Sequence, residues 1–327
     1  MSVVYFLNVG KGDCSIIKHN SGRLTMIDIN RVVNNLNENI ITSNSGSSIM
    51  FNESRNPKGN YHQDEHPIDP IKFLKDNYSG EELFRFILTH PDMDHLKGFK
   101  ALSKEIGFIN FWSYKNDKDS TNIKKDDLDD WNFYQELLGK NKLLKLVDTN
   151  NCQYLPDDDL TILSPNNNLI EQANNKKNWN DASAVILYKA AGYKFLFCGD
   201  SGDATWKHLI KNHRSEVSNI DIFFAPHHGR DSDRDFEFLD IVKPRITILG
   251  NAESNQKADD QYRDKSLYKF SNTQAGNFKF EINSDNKLEV YFSNKKFAES
   301  FCSCNNLNCI PQGDWFGIGV LDKNDNK

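Results

Sequence analysis

The sequence has no run of apolar residues approaching the roughly 18 to 20 that a membrane-spanning helix needs. Its opening, Met1-Ser2-Val3-Val4-Tyr5-Phe6-Leu7, has no basic stretch ahead of the apolar one and runs straight into polar sequence. Neither a signal peptide nor membrane association is therefore expected, and a cytoplasmic location follows as the expectation. Positive charge is not in excess: 40 Lys and Arg stand against 46 Asp and Glu in 327 residues, a net charge of −6. That balance disfavours a protein that holds duplex DNA through its overall field, while leaving room for a local basic groove. Cysteine is sparse. Cys14, Cys152 and Cys198 stand alone, and Cys302, Cys304 and Cys309 form a late group with no obvious fourth ligand. A chain this long needs no disulfide staples, so reduced thiols are expected, and the late group reads as turn and core cysteines before a metal knuckle. There is no Gly-x-Ser-x-Gly elbow, no Gly-x4-Gly-Lys-Ser/Thr loop and no internal repeat. Serine hydrolases and nucleoside triphosphatases of those types lose their support.

What is present is material for a large core: 38% hydrophobic residues, with 22 Phe and 11 Tyr, which excludes a disordered chain. Val3 to Val9 reads as a strand, Gly10-Lys11-Gly12-Asp13 as a turn and Cys14 to Ile17 as the returning strand. Arg23 to Ile29 is a third strand with Asp28 near its end. An Asn-rich polar stretch over about 31–66 reads as a surface insertion. Asp69-Pro70 opens a helix, Leu83 to Leu88 is a buried strand, and helix is expected from Leu96 to Ile106. A strand at Ile109 to Trp112 and a helix from Trp131 to Leu146 follow. Further on, strands are expected at Leu160 to Leu163, Ala184 to Tyr188, Tyr193 to Phe197, Ile220 to Phe224 and Arg245 to Leu249, with helices at Thr205 to Asn212 and Phe236 to Val242. Interleaved strands and helices give a mixed α/β class. The expected organisation is one domain over 1–280 and a β-rich C-terminal extension, 281–327, packed on it.

The chemistry concentrates where strands end. The strand Phe84-Arg85-Phe86-Ile87-Leu88 runs into Thr89-His90-Pro91-Asp92-Met93-Asp94-His95, four metal-competent side chains within six positions. A strand end on a rigid sheet can hold ligands to the tolerance a metal demands, and imidazole nitrogen with carboxylate oxygen suits divalent ions such as zinc and manganese. Two later segments share the pattern. Phe195-Leu196-Phe197-Cys198-Gly199-Asp200 delivers a carboxylate, and Ile222-Phe223-Phe224-Ala225-Pro226-His227-His228-Gly229 delivers two imidazoles. Alone, Asp200 is a turn residue and the His pair as often structural as functional. Three strand ends carrying ligand-type residues point to one site.

On these residues the sequence resembles the metallo-β-lactamase fold superfamily, whose mark is a His-x-His-x-Asp-His loop after a strand. It is most similar to the branch typified by the hydrolase domain of ComEC-type competence proteins, in which the second His is Asp. His90, Asp92, Asp94 and His95 match that variant, as do Val9-Gly10-Lys11-Gly12-Asp13, Asn180-Asp181-Ala182-Ser183, Gly199-Asp200 and His227-His228-Gly229. The resemblance implies a four-layer αββα sandwich with two divalent ions, Zn or Mn, at one edge. By it, His90 and Asp92 hold one ion, Asp94 and His95 the other, and Asp200 bridges them. His228 is a ligand or a phosphate contact, and Asp181 stands where many relatives place a further His. Catalytic roles fall to Asp94 and His227. The last His of that branch is missing after Leu249, and Asp260 is the substitute the sequence offers.

Such a site implies a metal-dependent hydrolase, most simply a phosphodiesterase or nuclease acting on nucleic acid or a nucleotide through an activated water. Trp112, Tyr114, Lys115, Arg230 and Arg234 are expected at its rim, where aromatic and cationic side chains suit bases and phosphates. Because fold does not fix chemistry, hydrolysis of another ester or a lactone, or metal-dependent sensing without turnover, are the alternatives.

Overall fold

Strands with large apolar residues on both faces must be covered on both faces, and here that requirement sets the layers. The computed structural model describes residues 1–32, 57, 59–139, 144–146, 158–253 and 256–323, with 144–146 as backbone alone. The first sheet contains β1 (Ser2–Phe6), β2 (Ser15–Lys18), β3 (Leu24–Ile27), β4 (Leu83–Ile87), β5 (Phe108–Ser113) and β6 (Leu144–Leu146). It also contains β13 (Phe278–Ile282), β14 (Leu288–Phe292), β15 (Ile310–Gln312) and β16 (Trp315–Leu321). Their order is β15-β16-β14-β13-β1-β2-β3-β4-β5-β6. The second sheet orders β12 (Tyr268–Ser271), β11 (Ile246–Leu249), β10 (Ile222–Phe224), β9 (Tyr193–Phe197), β8 (Val185–Ala190) and β7 (Leu160–Ser164).

Period-two alternation sorts the side chains. From the first sheet Val4, Phe6, Ile17, Ile27 and Ile87 point between the sheets, where they meet Ile186, Phe195, Phe197, Ile222 and Phe224 of the second. The alternate residues Tyr5, Ile16, Met26 and Phe86 face outward against α1 (Pro70–Asn77), α2 (Phe99–Glu105) and α3 (Leu128–Gly139). On the far side Leu187, Leu196 and Phe223 pack on α5 (Asp203–Asn212), α7 (Leu239–Val242) and α8 (Asp259–Lys265). Helices α4 (Asn167–Lys176), α6 (Arg214–Val217) and α9 (Asn272–Ala275) lie in the connections between strands. The result is the αββα order that the resemblance implies. Asp69 caps α1 by accepting from the Ile71 N–H at 2.9 Å, with Pro70 in the first turn, as the Asp-Pro pair predicts.

The helix expected from Trp131 to Leu146 is shorter. It ends at Gly139, a residue costly in a helix interior, and Leu144–Leu146 forms edge strand β6, parallel to β5. Of the insertion expected over about 31–66, only Arg31, Val32, Pro57 and residues 59–66 lie within the described residues. Residues from 281 on supply β14 to β16 and α10 (Lys295–Cys304), and β13 pairs antiparallel with β1, Ser2 opposite Ile282 and Phe6 opposite Phe278. Phe292, Phe297 and Phe301 enter the core between the sheets. The five described cysteines carry free thiols, and Cys152 lies outside the described residues. Among the described residues no helix is long and apolar enough to cross a membrane.

Candidate metal centre

Strands β3 and β4 run parallel, as do β9 and β10, so their carboxyl ends reach one edge of the sandwich. Those ends carry Asp28, the segment Thr89 to His95, Asp200, and the pair His227 and His228. The β1–β2 turn adds Asp13. Two glycines let these segments approach. A Cβ on Gly12 would lie 2.2 Å from the Asp94 carbonyl oxygen. Gly199 has φ +48°, and a Cβ there would meet Thr89 Oγ1 at 2.7 Å. His227 and His228 both adopt left-handed backbone, φ 54° and 56°. Non-glycine residues held there cost on the order of 1–3 kcal/mol each. The turn is held by the His227 N–H donating to the Gly199 carbonyl at 3.0 Å.

Asp200 is the hub. Its carboxylate oxygens lie 3.2 Å from His95 Nε2, 3.5 Å from His227 Nε2, 3.7 Å from His90 Nε2 and 3.9 Å from His228 Nε2. Around it, His228 Nε2 lies 3.4 Å from Asp94 Oδ2, and His90 Nε2 lies 3.7 Å from Asp92 Oδ2. Asp92 is also paired with the Lys118 ammonium, which sits over the Trp179 ring.

The three buried imidazoles are oriented from behind. Nδ1 of His95 donates to Asp28 Oδ2 at 2.8 Å, and Nδ1 of His228 donates to Asp13 Oδ1 at 2.8 Å. The Thr89 hydroxyl donates to Asp28 Oδ2 at 2.6 Å and accepts from His90 Nδ1 at 3.1 Å. Each ring thus spends Nδ1 on the protein and turns Nε2 inward, the arrangement that fixes tautomer and basicity in metal-ligating histidines. His90 Nε2, His95 Nε2 and Asp200 Oδ1 are buried with no hydrogen-bond partner among the described residues. Orphaned polar atoms of this kind are costly unless something else satisfies them. Asp13, His95, Asp200 and His228 each offer a ligand atom within 4.8 Å of the others. The donor set of imidazole nitrogen and carboxylate oxygen fits a divalent cation.

The electrostatics agree. Burial pushes the Asp200 carboxyl up, but His95, His228 and His90 outweigh it and hold the group well below the usual carboxylate range. Burial likewise opposes ionisation of Asp94, yet His95 and His228 bring it down to about 2. Burial lowers His95 and His228, while the carboxylates beside them win. Asp200 and Asp28 hold His95 well up, and Asp13 and Asp200 push His228 to about 10. The carboxylates and imidazoles thus hold one another in their charged forms, as closely packed groups of opposite sign do. His227 differs. Burial lowers it to about 4 against the pull of Asp200, with His228, Arg230 and Arg234 adding to the fall.

The structure brings together His90, Asp92, Asp94, His95, Asp200, His227 and His228. Asp181 stands on the wall of the adjoining cavity, beside Gly202. Asp260 lies apart. It is on the surface of α8, 78% exposed and paired with Arg263, because Tyr262 takes the buried face of that helix. Trp112 and Tyr114 are not at the rim either: both are buried, Trp112 against Arg85 and Tyr114 with its hydroxyl donating to the Trp179 carbonyl. Arg230 and Arg234 are near, with Arg230 3.3 Å from His227 Nε2 and Arg234 donating to the Ser201 carbonyl. Sequence reasoning assigned no role to Asp13, Asp28 or Thr89. Asp13 was signalled by the Gly-Lys-Gly-Asp turn, whereas nothing in the spacing announces the Thr89–Asp28 bond.

No family model matches the sequence, and no curated protein matches it. Among solved structures the chain is similar to the metallo-β-lactamase fold protein YhfI from Bacillus subtilis, at 10% identity and TM-score 0.45, covering 83% of this chain and 96% of that one. It is similar to Igni18, a metallo hydrolase from the archaeon Ignicoccus hospitalis, at 12% identity and TM-score 0.43, covering 80% and 88%. It is also similar to a diphosphatase from the PhnP family, at 11% identity and TM-score 0.37, covering 76% and 85%.

Proposed function

We propose that this chain is a metal-dependent hydrolase of phosphodiesters, akin to the ComEC-type branch its motifs resemble, working in the cytoplasm on nucleic acid or a nucleotide. The observation that carries the reading is the ring of imidazoles around Asp200, three of them buried and oriented by Asp13, Asp28 and Thr89, opening onto a polar cavity of about 920 Å³. His90 and Asp92 would hold one cation, Asp94 and His95 a second, with Asp200 shared and His228 completing the set. When bound, a pair of divalent ions, zinc or manganese, supplies Lewis acidity and lets water ionise near neutral pH. The remaining work belongs to the chain. Asp28 and Asp13 keep the Nε2 atoms aimed inward, and Gly199 and Gly12 let the strand ends close on one another. His227, with Nδ1 hydrogen-bonded to the Ser232 hydroxyl at 2.8 Å, presents its ring where the cavity begins and is placed to contact a departing oxygen. Asp94, its side chain 38% exposed, is the most exposed carboxylate around this ring of imidazoles.

The test is elemental analysis of the purified protein beside turnover of bis-p-nitrophenyl phosphate, nitrocefin and a lactone in manganese and in zinc. Bound metal with phosphodiester turnover that Asp200→Asn abolishes is the expected result. Metal-free protein, or turnover confined to nitrocefin or the lactone, overturns the reading.

A further inference from the structure

The cavity that begins at Asp200 and His227 extends between α5 and α4. The two helices meet where Asn166 Nδ2 donates to His208 Nδ1 at 3.1 Å. Helical spacing decides what they present. Asn168, Gln172 and Lys176 follow one another at i, i+4 on α4, and Lys207 and Lys211 do so on α5, so each stripe lies on a single face. All five line the cavity. Lys176, Lys207 and Lys211 are exposed and form no ion pair with the described residues. Arg234 lines it too, and its Nε is buried without a hydrogen-bond partner among the described residues. Beyond Asp200 the lining carboxylates are Asp181 and Asp203, and Asp203 Oδ1 already accepts the Asp235 N–H. Among the described residues Leu169 is the one large apolar side chain of the lining. This is a poor home for a lipid or a compact apolar ester, since small-molecule sites of roughly 300–1,000 Å³ are ordinarily lined mostly by apolar groups.

We infer that the α4–α5 cavity is the binding track for a short single-stranded oligonucleotide. Lys176, Lys207, Lys211 and Arg234 take the phosphates that follow the one at the metal centre, and the carboxamides of Asn168 and Gln172 take base edges. Carboxamides both donate and accept, which suits base edges, whereas a bare phosphate chain would use only their donors. The Watson–Crick edges of bases are open to such carboxamides in a single strand and closed in a duplex. The net charge of −6 does not oppose this, because the cations are gathered locally.

The inference rests on the phosphodiesterase reading, and one set of measurements separates the two. Binding of a fluorescein-labelled octathymidylate is followed by anisotropy across a salt series. The wild type is compared with the Lys176→Ala/Lys207→Ala/Lys211→Ala variant and with Lys104→Ala/Lys124→Ala/Lys287→Ala, which removes equal charge elsewhere. Each phosphate contact on a single strand contributes about 0.7 to the slope of log K against log salt. The cavity variant should therefore lose about 2 from that slope and bind about tenfold or more weakly. The control should follow the wild type, and thermal unfolding should show both variants folded. Equal slopes for the cavity variant and the wild type overturn the inference, as does an equal loss in the control. Competition by inorganic polyphosphate as strong as by unlabelled oligonucleotide overturns the assignment to a nucleic acid strand. Wild-type turnover of bis-p-nitrophenyl phosphate stands apart: its absence overturns the hydrolase reading and leaves the binding result to be judged alone.

Discussion

Asp28 Oδ2 accepts a hydrogen bond from His95 Nδ1 at 2.8 Å while also accepting one from the Thr89 hydroxyl, which in turn holds His90. One carboxylate thus orients two histidines of the centre. Exchanging it for a carboxamide keeps the volume but puts a donor where two acceptors are needed. Asp28→Asn should lower metal affinity or turnover about 10- to 100-fold with the fold intact. Metal titration and phosphodiester turnover measure it, and unchanged values for both would refute the orienting role.

Asp94 belongs to the His90–His95 loop and Asp260 was the substitute offered for a missing last His; the first sits 3.4 Å from His228 Nε2 and the second on the surface of α8. Asp94→Ala should strip metal and turnover together, since a lost ligand removes the activating ion. Asp260→Ala should match the wild type in both. Metal loss on removing Asp260 would mean that α8 closes on the site.

Chelation should abolish turnover and manganese or zinc should restore it. It should also lower the unfolding temperature. A ligand at about 100 times its Kd stabilises a fold by about 2.7 kcal/mol. Scanning calorimetry with and without chelator checks this, and identical transitions would count against a resident ion.

Away from the site, His19 is buried against Thr25 and Tyr188, and burial lowers it to about 4, with Asp158 pulling up and Arg85 pushing down. The unfolded chain has an ordinary His near 6.5. Between those values the unfolded state binds the proton and the folded state does not. Stability is therefore fully present above about pH 6.5 and falls as pH drops towards 4, by about 3 kcal/mol in all. The difference in denaturant stability between wild type and His19→Gln, measured from pH 7 to 4, should show that slope. A flat difference would place the ring in water.

A chain ending at residue 280 would lack Phe292, Phe297 and Phe301, all buried between the sheets. Truncating one core Phe to Ala costs about 3–5 kcal/mol, against a total stability of about 5–15 kcal/mol. Such a chain should show no cooperative unfolding by circular dichroism. A sharp transition would show that residues 1–280 stand alone.

The strand ends could be read from sequence because local chemistry marks them: an apolar run of period two, then a cluster of ligand-type side chains. Asp200 and His228 lie in such places, as does His90. Asp28 and Thr89 escaped because their bond joins residues 61 apart, and no spacing records it. Trp112 was expected at the rim for its type, yet β5 alternates and carries it into the core. Asp260 failed for the converse reason, since a suitable side chain near the right strand says nothing about which face of the following helix it occupies, and Tyr262 takes the buried one.

The pairing of β1 with β13 has a bearing on biosynthesis. The first strand gains β2 at once, but its other edge must wait until residue 282 has left the ribosome, tens of seconds later at about 5–20 residues per second. Throughout that interval the nascent polypeptide displays an unpaired, apolar strand edge of the kind that recruits stray strands. Yield in a cell will therefore depend on translation speed and on chaperone supply more steeply than the stability of the finished protein would suggest.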